Sequence, residues 1–138
     1  MEIERKWLLR SLPKILEGET PDIQGFQAYL PLIGYKGEAR IRELTNPRTS
    51  EVKWQLTFKS EGSLARQEWE TPIPKWLFDS LYEIAKKQIR KNVSFISYAR
   101  HRLEFHVYTD RFLRDLLIME CEFKNEHEAV TFKPPEWV

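Results

Sequence analysis

The chain has 138 residues, with 22 Lys and Arg set against 21 Asp and Glu, for a formal net charge of +1. That length fits a single domain over residues 1–138, and near-neutrality excludes a protein that coats polyanions by bulk charge. Hydrophobic residues at 41% exclude a disordered chain, while charged residues at 31% make their placement the question.

The single cysteine, Cys121, excludes an internal disulfide framework and a Cys-rich zinc module. No apolar run approaches the roughly 18 residues of a membrane helix. Residues 1–10 place acids directly after Met1 and contain no small-residue cleavage site, so they do not read as a signal peptide. The expectation is a cytoplasmic protein without membrane or nucleic-acid partners.

Residues 2–8 place Glu2, Glu4 and Lys6 at a spacing of two. Residues 11–20 form a connector, and 22–32 read as a strand interrupted by Gly25 and Pro31. Residues 37–44 alternate, with Arg40 and Arg42 on one face and Ile41 on the other. Asn46-Pro47 marks a turn. Residues 52–60 alternate most clearly, with Trp54, Leu56 and Phe58 against Lys53, Gln55, Thr57 and Lys59. After a turn at Glu61-Gly62-Ser63, residues 65–70 set Arg66, Glu68 and Glu70 on one face. Residues 74–87 carry the helical pattern: Pro74 suits the first turn, Leu77, Leu81 and Ile84 recur at helical spacing, and Lys86 and Lys87 suit the C-terminal end of the dipole. Residues 88–98 return to strand. Residues 100–108 set Arg100, Arg102, Glu104, His106 and Tyr108 against His101, Leu103, Phe105 and Val107. A turn at 110–115 precedes a strand at 116–123, with Glu120 and Glu122 opposite Met119, Cys121 and Phe123.

About eight strands, short connections and one clear helix predict a mainly β (α+β) fold, an antiparallel meander or barrel. Alternating charged faces usually belong to a sheet with one wet side. In a barrel one alternating set must point inward. Either the apolar set fills it, or the charged set lines a polar tunnel; periodicity alone leaves both open.

The ordered motifs resemble the CYTH superfamily, the triphosphate tunnel metalloenzymes. Glu2-Ile3-Glu4-Arg5-Lys6 resembles its ExExK opening. Tyr29-Leu30, Arg40-Ile41-Arg42, Leu56-Thr57-Phe58-Lys59-Ser60, Arg66-Gln67-Glu68-Trp69-Glu70, Ile89-Arg90-Lys91, Glu120-Cys121-Glu122 and Phe132 to Trp137 follow in the family's order, so the similarity spans the chain. The resemblance implies a closed or nearly closed antiparallel barrel of about eight strands, a charged tunnel and at least one packing helix. It implies metal-dependent hydrolysis of a small-molecule triphosphate: inorganic triphosphate first, or a nucleoside or thiamine triphosphate, with cyclisation of ATP as a variant. Lys6, Arg40, Arg42, Lys59 and Arg66 would bind phosphates, as such anions require. Glu2, Glu4, Glu120 and Glu122 would hold Mg²⁺ or Mn²⁺, which prefer carboxylate oxygens. Lys91 would place the attacking water. Glu68 and Glu70 would either bind metal indirectly or pair with tunnel cations.

Three departures bear on turnover. Val93 stands where the family's Lys-x-Arg strand has arginine, leaving one phosphate clamp missing unless Arg90 or Arg100 replaces it. His106 stands where an acid helps to hold a second metal ion; it is read as hydrogen-bonded to Glu104 or an arginine, with metal ligation as the alternative. The chain also stops at Val138, before a further strand-like segment, so a less complete barrel is expected. These features keep a weak or inactive polyphosphate-binding relative open. Cys121 reads as a core thiol, His101 and His127 as surface residues, Gly25, Gly34, Gly37 and Gly62 as turn residues, and Trp54, Trp69 and Trp76 as packing.

Overall fold

The computed structural model describes residues 1–138. Nine strands form: β1 (Glu2–Leu8), β2 (Ile23–Tyr29), β3 (Glu38–Thr45), β4 (Val52–Lys59), β5 (Ala65–Arg66), β6 (Glu68–Pro72), β7 (Gln88–Tyr98), β8 (His101–Tyr108) and β9 (Leu117–Glu122). Two helices accompany them, α1 (Lys75–Tyr82) and α2 (Glu126–Thr131). All neighbouring strands are antiparallel, in the order β5-β1-β9-β8-β7-β2-β3-β4-β6. The strands at the two ends of that order are one run of chain, broken only at Gln67. β5 pairs with β1 (Glu2 with Arg66) and β6 pairs with β4 (Lys59 with Glu68). The sheet therefore curls into a nearly closed antiparallel barrel. The predicted strand at 65–70 is split in two because its halves serve opposite edges, which raises the count from about eight to nine.

The charged set points inward. On β3, Glu38, Arg40 and Arg42 face the lumen, while Ala39 and Ile41 are buried on the outside. The apolar faces are covered from outside in two separate clusters. One gathers Leu103, Phe105, Met119 and Cys121 with Phe123, Ala129 and Phe132 beneath α2. The other gathers Phe26, Ala28, Ile41, Ile73 and Phe78 beneath α1. The hydrophobic driving force thus acts between barrel and helices, and the lumen stays polar.

Helix α1 is shorter than predicted. Pro74 is its N-cap, Leu77, Phe78 and Leu81 face the sheet, and the helix ends at Tyr82, leaving Ile84 exposed. Lys86 and Lys87 extend the β2–β7 ladder instead: Lys86 N–H donates to Tyr29 O at 3.0 Å, and Tyr29 N–H to Lys87 O at 3.0 Å. The backbone of Tyr29 needs those partners, and pairing outweighs continuation of the helix. Trp76 is exposed on the outer face of α1 rather than packed.

Helix α2 was not foreseen, although its start has a recognisable cap. The Asn125 side chain accepts from Glu128 N–H at 2.8 Å, and Glu128 accepts in return from Lys124 N–H at 3.1 Å. At its other end Arg5 donates to Ala129 O (2.8 Å) and Phe132 O (3.0 Å), satisfying terminal carbonyls. His101 is not a simple surface residue: its ring packs edge-on against Phe123 and Phe132. Gly25 lies within β2, not in a turn, with Lys91 O 3.6 Å from where a Cβ would sit.

Candidate active site: a charged tunnel

The barrel encloses a cavity of about 470 Å³. All ten residues singled out in the sequence line it: Glu2, Glu4 and Lys6 from β1, Arg40 and Arg42 from β3, Lys59 from β4, Arg66 from β5, Lys91 from β7, and Glu120 and Glu122 from β9. Period-two geometry puts each pair on the same wall, and register brings the walls together. Glu4 stands opposite Glu122, and Lys6 opposite Glu120.

The acidic wall holds two clusters. Carboxylate oxygens of Glu2, Glu4 and Glu122 lie within 4.8 Å of one another. Burial pushes the Glu122 carboxyl up to about 7, reinforced by repulsion from Glu104, Glu2, Glu4 and Glu68. Burial and the charges of Glu120 and Glu2 also raise Glu4. Glu2 behaves differently. Burial opposes its ionisation, but hydrogen bonds from Glu68 and Lys59 hold its carboxyl below the usual range. Glu122 has no ion-pair partner, so this cluster carries more negative charge than the protein neutralises. A divalent cation fits that donor set.

The second cluster joins Glu104, His106 and Glu120, again within 4.8 Å. His106 Nε2 is 2.6 Å from Glu120 Oε2 and 3.3 Å from Glu104 Oε1. The hydrogen-bonded reading of His106 is therefore met, with acids on both sides. Burial holds Glu120 up less than His106 and Lys6 draw it down, so its carboxyl lies well below the usual range.

The basic wall is formed by Arg40, Arg42 and Lys91. Arg42 donates to Glu70 Oε2 (2.7 Å) and Gln55 Oε1 (2.9 Å), and Thr57 Oγ1 donates to the same Glu70 oxygen at 3.1 Å. Arg40 has a looser partner, Glu38 at 3.5 Å. The Nε atoms of both arginines are buried without a hydrogen-bond partner. Lys91 pairs with no carboxylate within 4.0 Å. Burial lowers its amine to about 8, helped by Arg40, Arg42 and Lys6 and opposed by Glu120. Of the three, Arg42 has a close carboxylate partner, Arg40 a looser one and Lys91 none.

Other predicted phosphate ligands are engaged with acids. Lys59 is buried between Glu2 (2.9 Å) and Glu68 (3.5 Å), Arg66 lies 3.9 Å from Glu2, and Lys6 bridges Glu120 (3.0 Å) and Glu4 (3.5 Å). Glu68 and Glu70 pair with tunnel cations. Neither Arg90 nor Arg100 replaces the clamp missing at Val93: Arg90 stacks over Phe26 at 4.6 Å, and Arg100 sits in the β7–β8 turn at φ 67°. Sequence reasoning did not single out Gln27, Tyr29, Glu38 or Gln55 as tunnel residues. Glu38 shares parity with Arg42 on β3, and Gln55 with Lys59 on β4, which was the available signal; β2 carries no such reference for Gln27 and Tyr29.

No protein-family model matches the chain. It is 31% identical to the inorganic triphosphatase of Nitrosomonas europaea (strain ATCC 19718), an alignment covering 99% of this chain and 85% of that protein. The chain belongs to the CYTH superfamily. A crystal structure of an inorganic triphosphatase superposes with a TM-score of 0.63 at 28% identity, over 99% of this chain and 83% of that one. A putative adenylate cyclase from Bacillus halodurans superposes with a TM-score of 0.65 at 18% identity, over 94% of this chain and 84% of that one, and shows the shared fold. The CYTH motifs, scattered from Glu2 to Glu122 in sequence, thus line one continuous inner surface.

Proposed function

We propose that this CYTH protein is a metal-dependent triphosphatase acting on inorganic triphosphate. One observation carries the reading: inside the barrel, carboxylates gather on adjacent strands β1, β9 and β8, while Arg40, Arg42 and Lys91 gather on β3 and β7. A metal–triphosphate complex needs both walls, since its cation takes carboxylates and its phosphates take guanidinium and ammonium donors. Similarity to a protein named inorganic triphosphatase supports the same reading.

Aromatic recognition of a base is poorly served. Inside the tunnel, the rings of Phe95 and Tyr108 carry Arg102 (4.1 Å) and Lys91 (5.7 Å), and the Tyr29 hydroxyl accepts from Gln27 at 2.7 Å. This supports a substrate composed of phosphates alone.

Arg40 and Arg42 would donate to non-bridging phosphate oxygens and hold the chain extended. Glu70 and Gln55 keep Arg42 aimed inward while they do so. Lys91 would hold the terminal phosphate and the attacking water, so that the new P–O bond forms in line as the bond to the bridging oxygen breaks, leaving diphosphate. Glu2, Glu4 and Glu122, with Glu120 from the second cluster, would hold Mg²⁺ or Mn²⁺. A divalent ion there supplies charge neutralisation on the phosphate oxygens.

The test is a phosphate-release panel over inorganic triphosphate, thiamine triphosphate and ATP, each with Mg²⁺ and with Mn²⁺. Release is expected to be fastest with inorganic triphosphate and to stop under chelation. Tight triphosphate binding without release, or conversion of ATP to cAMP as the main reaction, overturns it.

A further inference from the structure

We propose that the two acidic clusters are cation sites of different chemistry, and that His106 makes the one built with Glu104 and Glu120 selective for a transition-metal ion such as Mn²⁺ over Mg²⁺. The inference rests on the metal–triphosphate reading of the tunnel, but its test needs no turnover.

The two clusters differ in donor type. The Glu2–Glu4–Glu122 cluster offers only carboxylate oxygens, which serve Mg²⁺ and Mn²⁺ alike. The other cluster offers two carboxylates and one imidazole nitrogen. Nitrogen donors favour later first-row divalent ions, and Mg²⁺ is a poor partner for imidazole.

The cluster with His106 is also held from behind. Lys6 takes Glu120 Oε1 at 3.0 Å, leaving Oε2 turned towards His106. Arg102 takes Glu104 Oε2 at 3.2 Å, leaving Oε1 turned the same way. Each carboxylate is thus oriented by an outer cation, the arrangement that fixes metal ligands in place. His106 is 95% buried, being 5% exposed, and its Nε2 points at both free oxygens. Neighbouring ligands of an octahedral ion with bonds of about 2.1 Å stand about 3.0 Å apart. The contacts of 2.6 and 3.3 Å bracket that spacing.

The other ring nitrogen is free of such support. His106 Nδ1 is buried and has no hydrogen-bond partner. Without an ion, Nε2 carries the proton it donates to the Glu120 and Glu104 carboxylates, so an ion bound there displaces that proton, and no partner at Nδ1 opposes its taking it. The same missing partner removes support that is worth about 10–100-fold in affinity. The site should accordingly be exchangeable rather than permanently filled.

The deciding measurement is pulsed EPR of metal-stripped full-length protein given Mn²⁺ in the presence of excess Mg²⁺. Nitrogen-14 modulation of the Mn²⁺ signal is expected in the wild type. It should vanish in His106→Asp, which returns an oxygen donor, and survive in Glu4→Gln, which damages only the all-oxygen cluster. Calorimetric competition should show Mg²⁺ displacing Mn²⁺ from one site readily and from the other at least about tenfold less readily, a difference erased in His106→Asp. His106→Asn, with circular dichroism as the control on folding, covers the case in which the Asp variant does not fold. Absence of nitrogen modulation in the wild type, or equal displacement from both sites, overturns the inference. Nitrogen-coupled Mn²⁺ in a protein that releases no phosphate would instead sink the triphosphatase reading alone.

Discussion

At the scale of single residues, most tunnel charges are paired with one another, and Glu122 and Lys91 are the exceptions. On the acidic side Glu122 is raised to about 7 with no ion-pair partner. Glu4→Gln and Glu122→Gln should each lower metal-dependent phosphate release by about 100-fold or more, the scale of losing one charge-stabilising group, with the thermal transition preserved. Full activity in either variant would remove that residue from the metal set. Lys91 shows the same on the basic side. Its amine is lowered from 10.5 to about 8, so the folded protein disfavours its protonated form. The stability it contributes is present above pH 10.5 and is lost as pH falls through about 8. A bound phosphate reverses the preference, because it favours the protonated amine. Binding is then linked to proton uptake, and calorimetric affinity for triphosphate should drop as pH rises beyond about 8. Lys91→Met should bind more weakly and lose that pH dependence; an unchanged profile would detach Lys91 from the phosphates.

At the scale of elements, what could be read depended on whether a strand's two faces differed. Arg40, Ile41 and Arg42 assign their faces at once, and so do Glu120, Cys121 and Glu122. What alternation could not say was which face is inner, because both answers bury something. Helix α1 settles it on one side by presenting Phe78 to Phe26, rings 6.3 Å apart, over the exterior of β2 and β3. Phe78→Ala should cost about 3–5 kcal/mol in urea unfolding, typical of deleting a core aromatic. The helix's true end was not legible because Lys86 and Lys87 have helical propensity, and only the long-range pairing with Tyr29 overrides it. Gly37 illustrates a constraint that composition hides: a Cβ there would collide with Lys59 O, where β3 and β4 begin to pair. Gly37→Ala should therefore destabilise by about 1–3 kcal/mol and loosen the Glu2–Lys59 contact, visible as a lower melting temperature.

At the scale of the whole molecule, the barrel is stabilised from outside and charged within, so ligand binding and folding are linked. A ligand that binds only the folded tunnel adds about 2.7 kcal/mol of stability at 100 times its dissociation constant, and triphosphate with Mg²⁺ is expected to do so. Thermal unfolding would register this as a concentration-dependent rise, and no rise would mean that the tunnel does not take triphosphate. The candidate site was legible because its residues repeat at a spacing of two on successive strands. Its internal pairings were not. That Lys59 serves Glu2 while Arg42 leans on Glu70 depends on register between strands distant in sequence, and no local pattern encodes it.

The pairing of β1 with β9 has a consequence in time as well as in space. Glu2 and Glu4 are made early and Glu120 and Glu122 late, yet they form one wall. While the chain is being synthesised, the early carboxylates must wait for almost all of the remaining sequence before their partners exist. The acidic wall is consequently completed late, and a divalent ion taken between β1 and β9 would act as a clasp that joins the two ends of the fold.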